Sequence, residues 1–596
     1  MASVRLGENV GIREEIIKKA CSMAMKAHKY AGKQLFVSEK IKSSSEVVFS
    51  FPGSWSVSDW FSRGEVKVDL QVLPSLKQVG LNHAATVNEA FMMRFKALLA
   101  HPQFRKEVGA AATEGKQVMF TGHSLGGPVA MLAAIWFLEE YIRPDPTKRP
   151  PLCITFGSPL VGDRLFSHAL RRENWSRYFI NFIMKHDIVP RISFTPLSSI
   201  EQQLKLILSF LSSKSPQVPV NEAVMFFVTV MRNVSSVASH AACKIMGNTN
   251  LLLEAISNFI ELSPYRPFGT YVFCTGNGKL VVIRNPDAVL QLLFYTSQLN
   301  SETELPGVAQ SSIKDHLRYK DELEECLQIM QTVTCFENHQ LEILPLSSDD
   351  VSSESNSALN DLGLSARARL CLRATAELEK QKNNYQREID KKMADIENGI
   401  KNLEGYKKRC QHKAGYYDAF KISDEKEDFD ANVERLKLAG LWDEIIEMLK
   451  RYELTDEFEG RKAWIDIGNR YRRMVEPLDI ANYYRHLKNE DTGPYMERGR
   501  PKRYKCAQRW REHTDRMLTD ESLESCFWAE VEELSIMSVG LGIREKVSNL
   551  KGKVEEWIRN GVQDQDVFLA GSTFDKLLKA HFLANSAQPG FMNLTA

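Results

Sequence analysis

The stretch Gln117–Leu138, QVMFTGHSLGGPVAMLAAIWFL, constrains the fold more than any other part of the chain. Its first half is β-prone and apolar, its second half is helical, and GHSLG at the joint fits the GxSxG pattern of a nucleophile elbow. In such an elbow a strand turns sharply into a helix. Ser124 then sits on the bend with its hydroxyl clear of the sheet, and the flanking glycines let strand and helix approach. Five residues with three fixed are weak support alone; the strand before and the helix after supply the context.

The surrounding sequence repeats the alternation. EVVFSFPG, KQVMFTG, PLCITFG, YFINFIMKHD and GTYVFCTGNGKLVVIRN are short β-rich runs separated by helical stretches, which predicts an α/β layer with a largely parallel sheet between about residues 40 and 345. A serine hydroxyl needs a histidine to take its proton and a carboxylate to orient that histidine, in the chain order serine, acid, base. Asp187 follows an apolar strand run and precedes a proline, where such acids lie. Beyond it His240, His316 and His339 remain as bases; His240 falls in a helical stretch and His339 borders a polar segment, so His316 is the best candidate. The backbone N–H of Leu125 and that of Ser54, in the FPGS turn, would form the oxyanion hole.

Overall charge excludes little: lysine plus arginine number 77 against 76 acids, so polyanion binding would have to come from local patches. The ten cysteines show no CxxC pair and no zinc spacing, which predicts reduced thiols, no metal and no cofactor. No apolar run approaches the roughly 20 residues needed to cross a bilayer, and MASVRLGENVGIREE lacks a leader's apolar core. Cytoplasm and nucleus are the expected locations.

EVVFSFPGSW, VMFTGHSLGG, CITFGSPLVGD and MKHDIVPR, in that order, resemble the class-3 lipases, a branch of the α/β-hydrolases. Phe51-Pro52 stands where those lipases usually carry an arginine before the glycine. The interval from Asp187 to His316 is also wide and holds an apolar helical insertion. There Leu252, Ile256, Phe259 and Ile260 recur at i, i+4, i+7 and i+8, one stripe on a helix. Such a stripe suits a core-facing helix, a lid or a knob that fits a partner's groove.

Residues 346–366 are rich in serine, aspartate and asparagine and read as a polar linker between an α/β domain, 1–345, and an all-α domain, 367–596. The second domain opens with one or two long helices and is expected to break at Pro477, Gly493, Pro494 and Pro501. Its run from 498 to 516 holds eight basic residues, six of them arginines whose guanidinium groups suit phosphate, and Tyr504 and Trp510 would offer stacking faces. A solvated face, a nuclear-localisation patch or a nucleic-acid contact fits the same run.

SPYRPFGTYVFCT, DIANYYRHLK and GRPKRYKCAQRWREH, taken with the lipase-like half, resemble the Enhanced Disease Susceptibility 1 family of plant immune regulators over essentially the whole chain. The resemblance implies an α/β-hydrolase domain followed by a helical-bundle "EP" domain. It also implies heterodimers with Phytoalexin Deficient 4 or the Senescence-Associated Gene 101 product, with the 252–260 stripe as partner interface. A ribosylated nucleotide made by TIR-domain receptors would bind the EP cavity, at Arg503 with Tyr483, His486, Lys488 and Phe429, and helper NLR proteins would engage the loaded pair. No membrane span and no direct nucleic-acid contact are expected. Two functions remain in competition: an immune signalling scaffold, which we favour, and an acyl hydrolase in which Ser124 attacks an ester.

Overall fold

A computed structural model describes residues 5–30, 34–40, 45–60, 64–212, 218–245, 262–299, 301–328, 332–347, 354–537 and 541–582. The chain divides into two units, one of Met1–Gln78 with His83–Gln381 and one of Val79–Asn82 with Lys382–Ala596.

The first unit is built on an eight-stranded sheet whose strands lie in chain order: β1 (Val37–Lys40), β2 (Glu46–Phe51), β3 (Gln117–His123), β4 (Leu152–Phe156), β5 (Phe179–Met184), β6 (Thr270–Cys274), β7 (Lys279–Ile283) and β8 (Thr332–Phe336). The strands from β2 to β6 pair in parallel, and so do β7 and β8, while β1–β2 and β6–β7 are antiparallel. All five expected β-rich runs are strands. β1 and β8 are edge strands with half-exposed faces, so their sequences carried no strong apolar run.

The central strands are apolar at nearly every position because both faces are covered. Val47, Phe49, Phe51, Val118 and Phe120 enter one core, which also takes in helix α3 (Gly126–Phe137). Val48, Met119, Ile154, Phe156, Ile180 and Phe182 enter the other, under α1 (Glu14–His28). All twelve residues of α3 are buried, as expected of a helix that is apolar all round. The helix α2 (Glu89–Leu99) starts at Asn88, whose side chain accepts hydrogen bonds from the Ala90 and Phe91 N–H groups. Between Asp187 and His316 the insertion contains α4 (Leu197–Leu211) and α5 (Val220–Ile245), followed after β7 by α6 (Leu305–Asp315); α7 (Tyr319–Cys326) comes next.

The segment read as a polar linker is structured where it is described. Glu354–Asp361 forms α8, and Ala358, Leu359, Leu362 and Leu364 are buried in the first unit's core. The buried Arg369 guanidinium ties the segment down through Asn360 Oδ1 at 2.6 Å, the Pro345 carbonyl at 3.1 Å and the Ser347 carbonyl at 3.2 Å. A few apolar residues at helical spacing suffice to anchor a stretch whose average composition is polar. The division between the units therefore falls later than expected, inside the single helix α9 (Ala366–Cys410).

The second unit is helical, with no strand among its described residues. On α9 the buried Ile389, Ile396, Ile400, Leu403, Tyr406 and Cys410 form a stripe toward α10 (Lys426–Lys450) and α11 (Lys462–Arg485). Pro477 does not break α11, contrary to the sequence expectation. An interior proline costs about 3 kcal/mol, but α11 is buried on almost every side around it, from Tyr471 to Tyr484. Packing on this scale outweighs the lost hydrogen bond. The other breaks hold: a short helix ends at Gly493, followed by Pro494, and Pro501 precedes α12 (Lys502–Asp515).

Candidate functional site

Ser124 occupies the bend between β3 and α3 with φ of +55°, the left-handed conformation of an elbow. The glycines on either side are dictated by contact: a Cβ on Gly126 would lie 2.0 Å from the Phe51 carbonyl oxygen, and one on Gly122 would lie 2.2 Å from the Gly126 carbonyl.

Asp187 lies just past the carboxyl end of β5 and His316 caps the end of α6, and the fold brings them together although they are 129 positions apart in the chain. His316 Nδ1 meets Asp187 Oδ2 at 2.9 Å and Oδ1 at 3.1 Å. The carboxylate also accepts from the Tyr319 hydroxyl at 2.6 Å and the Val189 N–H at 2.9 Å. Burial, then Asp187, pushes the Tyr319 pKa well above its ordinary value, so this hydroxyl keeps its proton and donates. With Nδ1 directed at the carboxylate, Nε2 is the ring nitrogen of His316 left without an acidic partner.

The final link is open. Ser124 Oγ and His316 Nε2 are both buried and neither has a hydrogen-bond partner among the described residues, so the serine–histidine bond is not made in this state. Ser124, Asp187 and His316 are each fully shielded from solvent. The oxyanion turn lies against the elbow: a Cβ on Gly53 would sit 3.8 Å from Ser124 Cβ and 3.9 Å from the Leu125 nitrogen. Arg94 holds the turn through the Pro52 carbonyl at 2.9 Å and Asp59 at 3.2 Å, and Asp59 accepts from the Ser54 hydroxyl. A cavity of about 350 Å³ adjoins this turn, lined by Pro52, Gly53, Ser54, Arg94, Leu98 and Val129.

Three supporting groups were not singled out from the sequence. Tyr319 fixes Asp187 as described. The fully buried Arg191 guanidinium donates to the backbone carbonyls of Asp187, Lys185 (2.8 Å) and Leu293 (2.7 Å) and so braces the loop that carries the acid; burial lowers its pKa to about 10. His123 Nε2 donates to the His316 carbonyl at 2.6 Å, and its Nδ1 lies 2.9 Å from His28 Nδ1. Burial depresses both imidazoles, His28 to about 4, so the pair is neutral and positions the base through its backbone. The HxxY spacing from His316 to Tyr319 and the arginine four residues after Asp187 were the only local signals.

In the second unit the basic run does not form one solvated face. Arg500 is buried on Glu476, at 2.6 and 3.2 Å, and Arg511 pairs with Glu524 at 2.7 Å. Tyr504 and Trp510 are fully buried, which removes them as stacking faces: Tyr504 stacks on Tyr471 with centroids 5.4 Å apart, and Trp510 donates to Glu459 at 2.9 Å. Both point from α12 into the core rather than outward, because that core takes the apolar rings first.

Arg503 is placed differently. Its Nη2 pairs with the buried Asp479 at 2.6 Å and its Nη1 with the exposed Asp443 at 2.9 Å, and its guanidinium lies 5.0 Å from the Tyr504 ring centre. Asp479, Tyr483 and His486 follow at i, i+4 and i+7, so the three share one side of α11 and its end, about 10 Å in length. His486 and Lys488 are exposed, while Tyr483 is buried and its hydroxyl donates to the Gly493 carbonyl at 2.7 Å. Phe429, Leu436 and Asp443 recur every seven residues on α10, and all three are exposed. Phe429 is two heptads, about 21 Å, from Asp443 and does not touch Arg503. Leu252, Ile256, Phe259 and Ile260 lie outside the described residues.

Among the described residues no group of three or more His, Cys, Asp or Glu side chains could hold a metal ion, and no helix is long and apolar enough to cross a membrane.

Comparison with known proteins agrees with both halves. Residues 48–196 match the family model for Lipase (class 3), and residues 401–591 match that for the Enhanced disease susceptibility 1 protein EP domain. The chain is 42% identical to Protein EDS1 of Arabidopsis thaliana over 95% of each chain. It is 27% identical to Lipase-like PAD4 over 70% of this chain and 64% of that protein, and 24% identical to Senescence-associated carboxylesterase 101 over 83% and 74%, both also from Arabidopsis thaliana. An α/β-hydrolase elbow joined in one chain to an EP domain, with this identity over nearly the full length, places the protein in the Enhanced disease susceptibility 1 family.

Proposed function

We propose that this protein is a positive regulator of plant innate immunity that works by binding rather than by hydrolysis. It pairs with a lipase-like paralogue of the PAD4 or carboxylesterase-101 type. The pair takes up a ribosylated nucleotide made by TIR-domain receptors and then engages helper NLR proteins to drive defence and hypersensitive cell death, in cytoplasm and nucleus. Leu252, Ile256, Phe259 and Ile260 serve the pairing.

The observation that carries this reading is the contrast between two sites. The Ser124 hydroxyl is sealed from solvent and unjoined to His316 Nε2, and hydrolysis requires a route for ester and water to that atom. Arg503 keeps a permanently charged, planar donor beside an exposed carboxylate, the geometry suited to a phosphate. Native mass spectrometry on the full chain co-expressed with its paralogue and an active TIR domain tests the reading. The wild-type pair should carry the added mass of one ribosylated nucleotide and the Arg503→Ala pair should not; an empty wild-type pair contradicts it.

The hydrolase alternative is supported by one feature, the closed Asp187–His316 pair with Nε2 left without an acidic partner. Turnover of a short-chain ester that disappears with Ser124→Ala would establish it.

A further inference from the structure

Arg503 bridges two carboxylates of unlike standing. Asp479 has 6% side-chain exposure and is held from three directions, by Arg435, by the Tyr504 hydroxyl at 2.6 Å and by Arg503 Nη2 at 2.6 Å. Asp443 has 55% side-chain exposure, and among the described residues it meets only Arg503 Nη1, at 2.9 and 3.2 Å. The guanidinium is also short of acceptors, since its buried Nε–H has none.

The two aspartates therefore do different work. Asp479 is locked into the core and fixes the plane of the guanidinium. Asp443 stands at the solvent edge, on the line of exposed residues that runs along α10 through Leu436 to Phe429; with its own side chain 55% exposed against 12% for Arg503, it is the partner of the pair that water reaches and that can be exchanged.

We propose that Asp443 is a resident anion that occupies the phosphate position of Arg503 in the unliganded chain, and that an incoming phosphate displaces it while Asp479 stays in place. This inference rests on the ligand reading above and adds a specificity element to it. The diphosphate of a ribosylated nucleotide brings two negative charges and several non-bridging acceptor oxygens where a carboxylate brings one charge and two oxygens, so it can replace Asp443 and still gain. A neutral nucleoside cannot. Asp443 thus sets a threshold that only phosphorylated ligands pass, and it keeps the guanidinium pre-oriented until one arrives.

The test is calorimetry on the full chain paired with its paralogue, using ADP-ribose as the probe and adenosine as the phosphate-free control, at about 150 mM salt so that distant charges are screened. Asp443→Asn keeps the shape and removes the charge; because Asp443 is exposed, it should melt with the wild type. Expected results are at least tenfold weaker ADP-ribose binding for Arg503→Ala, about fivefold tighter binding for Asp443→Asn, or ~1 kcal/mol, and adenosine binding that Asp443→Asn does not change. Asp443→Ala should tighten ADP-ribose binding in the same direction. If the wild-type pair takes up no ADP-ribose, or Arg503→Ala takes it up equally well, the underlying ligand reading fails. If the wild type binds through Arg503 and Asp443→Asn binds equally or more weakly, the reading stands and the displacement is refuted.

Discussion

Replacing Asp187 with alanine should damage the fold far more than replacing Ser124. In the wild type the Asp187 carboxylate accepts from Val189 N–H, Tyr319 O–H and His316 Nδ1–H, all buried. Its charge also faces the buried Arg191. Each buried donor left without an acceptor costs about 1–3 kcal/mol, part of which is recovered because a carboxylate no longer has to be desolvated, so about 4 kcal/mol is expected for Asp187→Ala. Ser124 Oγ makes no hydrogen bond, and alanine tolerates the same φ about as well as serine, so Ser124→Ala should stay within about 0.5 kcal/mol. The first unit spans about 380 residues; at ~2.1 cal/mol/K per residue its unfolding entropy near the midpoint is ~0.8 kcal/mol/K, which converts 4 kcal/mol into a drop of about 5 °C. Differential scanning calorimetry of the full chain, following the transition of this unit, makes the comparison. A midpoint for Asp187→Ala equal to that of Ser124→Ala would refute the argument that the acid is retained for structure while the serine is structurally idle.

Other outcomes follow from the same contacts. Asp315 is partly buried near Asp187, and burial first, then that neighbouring charge, raises its pKa from 3.8 to about 6. A carboxyl with a raised folded pKa disfavours folding once the unfolded chain ionises. Asp315→Asn should therefore stabilise the first unit by about 3 kcal/mol at pH 7.5 and by little below pH 4, which urea titrations at the two pH values would show. Glu524 behaves in the opposite sense: burial works against its charge, but Arg472, Arg473 and Arg511 outweigh it and lower its pKa from 4.5 to about 2. Its contribution, about 3 kcal/mol, is present above pH 4.5 and lost as the pH falls toward 2, so Glu524→Gln should flatten the acid limb of the second unit's stability curve. Gly126→Ala would drive a methyl into the Phe51 carbonyl and should leave little soluble protein on expression, because neither backbone segment can yield.

The sequence points to the elbow and to Asp187 because their signals are local, whereas His316 follows only by elimination among His240, His316 and His339. A glycine–serine–glycine turn between a β-run and a helix identifies Ser124, and a strand end followed by a proline identifies Asp187. What it could not reveal depends on contacts across hundreds of residues. Arg500 and Arg511 read as free positive charges until Glu476 and Glu524 are brought against them. Tyr504 and Trp510 lie within a basic run, yet α12 turns them into the core. Pro477 carries a strong helix-breaking signal, but the packing around α11 overrides it. The residues 354–364 read as linker because composition averages over the four apolar side chains that anchor them. The open serine–histidine link has no sequence signature at all, since it is a matter of distance between two side chains on different elements.

On the proposed function Arg503 carries the biology by binding phosphate, and Ser124 does not. The most direct measurement is complementation of plants lacking this family member with Ser124→Ala and Arg503→Ala variants, expressed at equal protein levels and scored for TIR-receptor-triggered cell death. Full restoration by Ser124→Ala and none by Arg503→Ala is expected. Cell death restored by Arg503→Ala but lost with Ser124→Ala would contradict it.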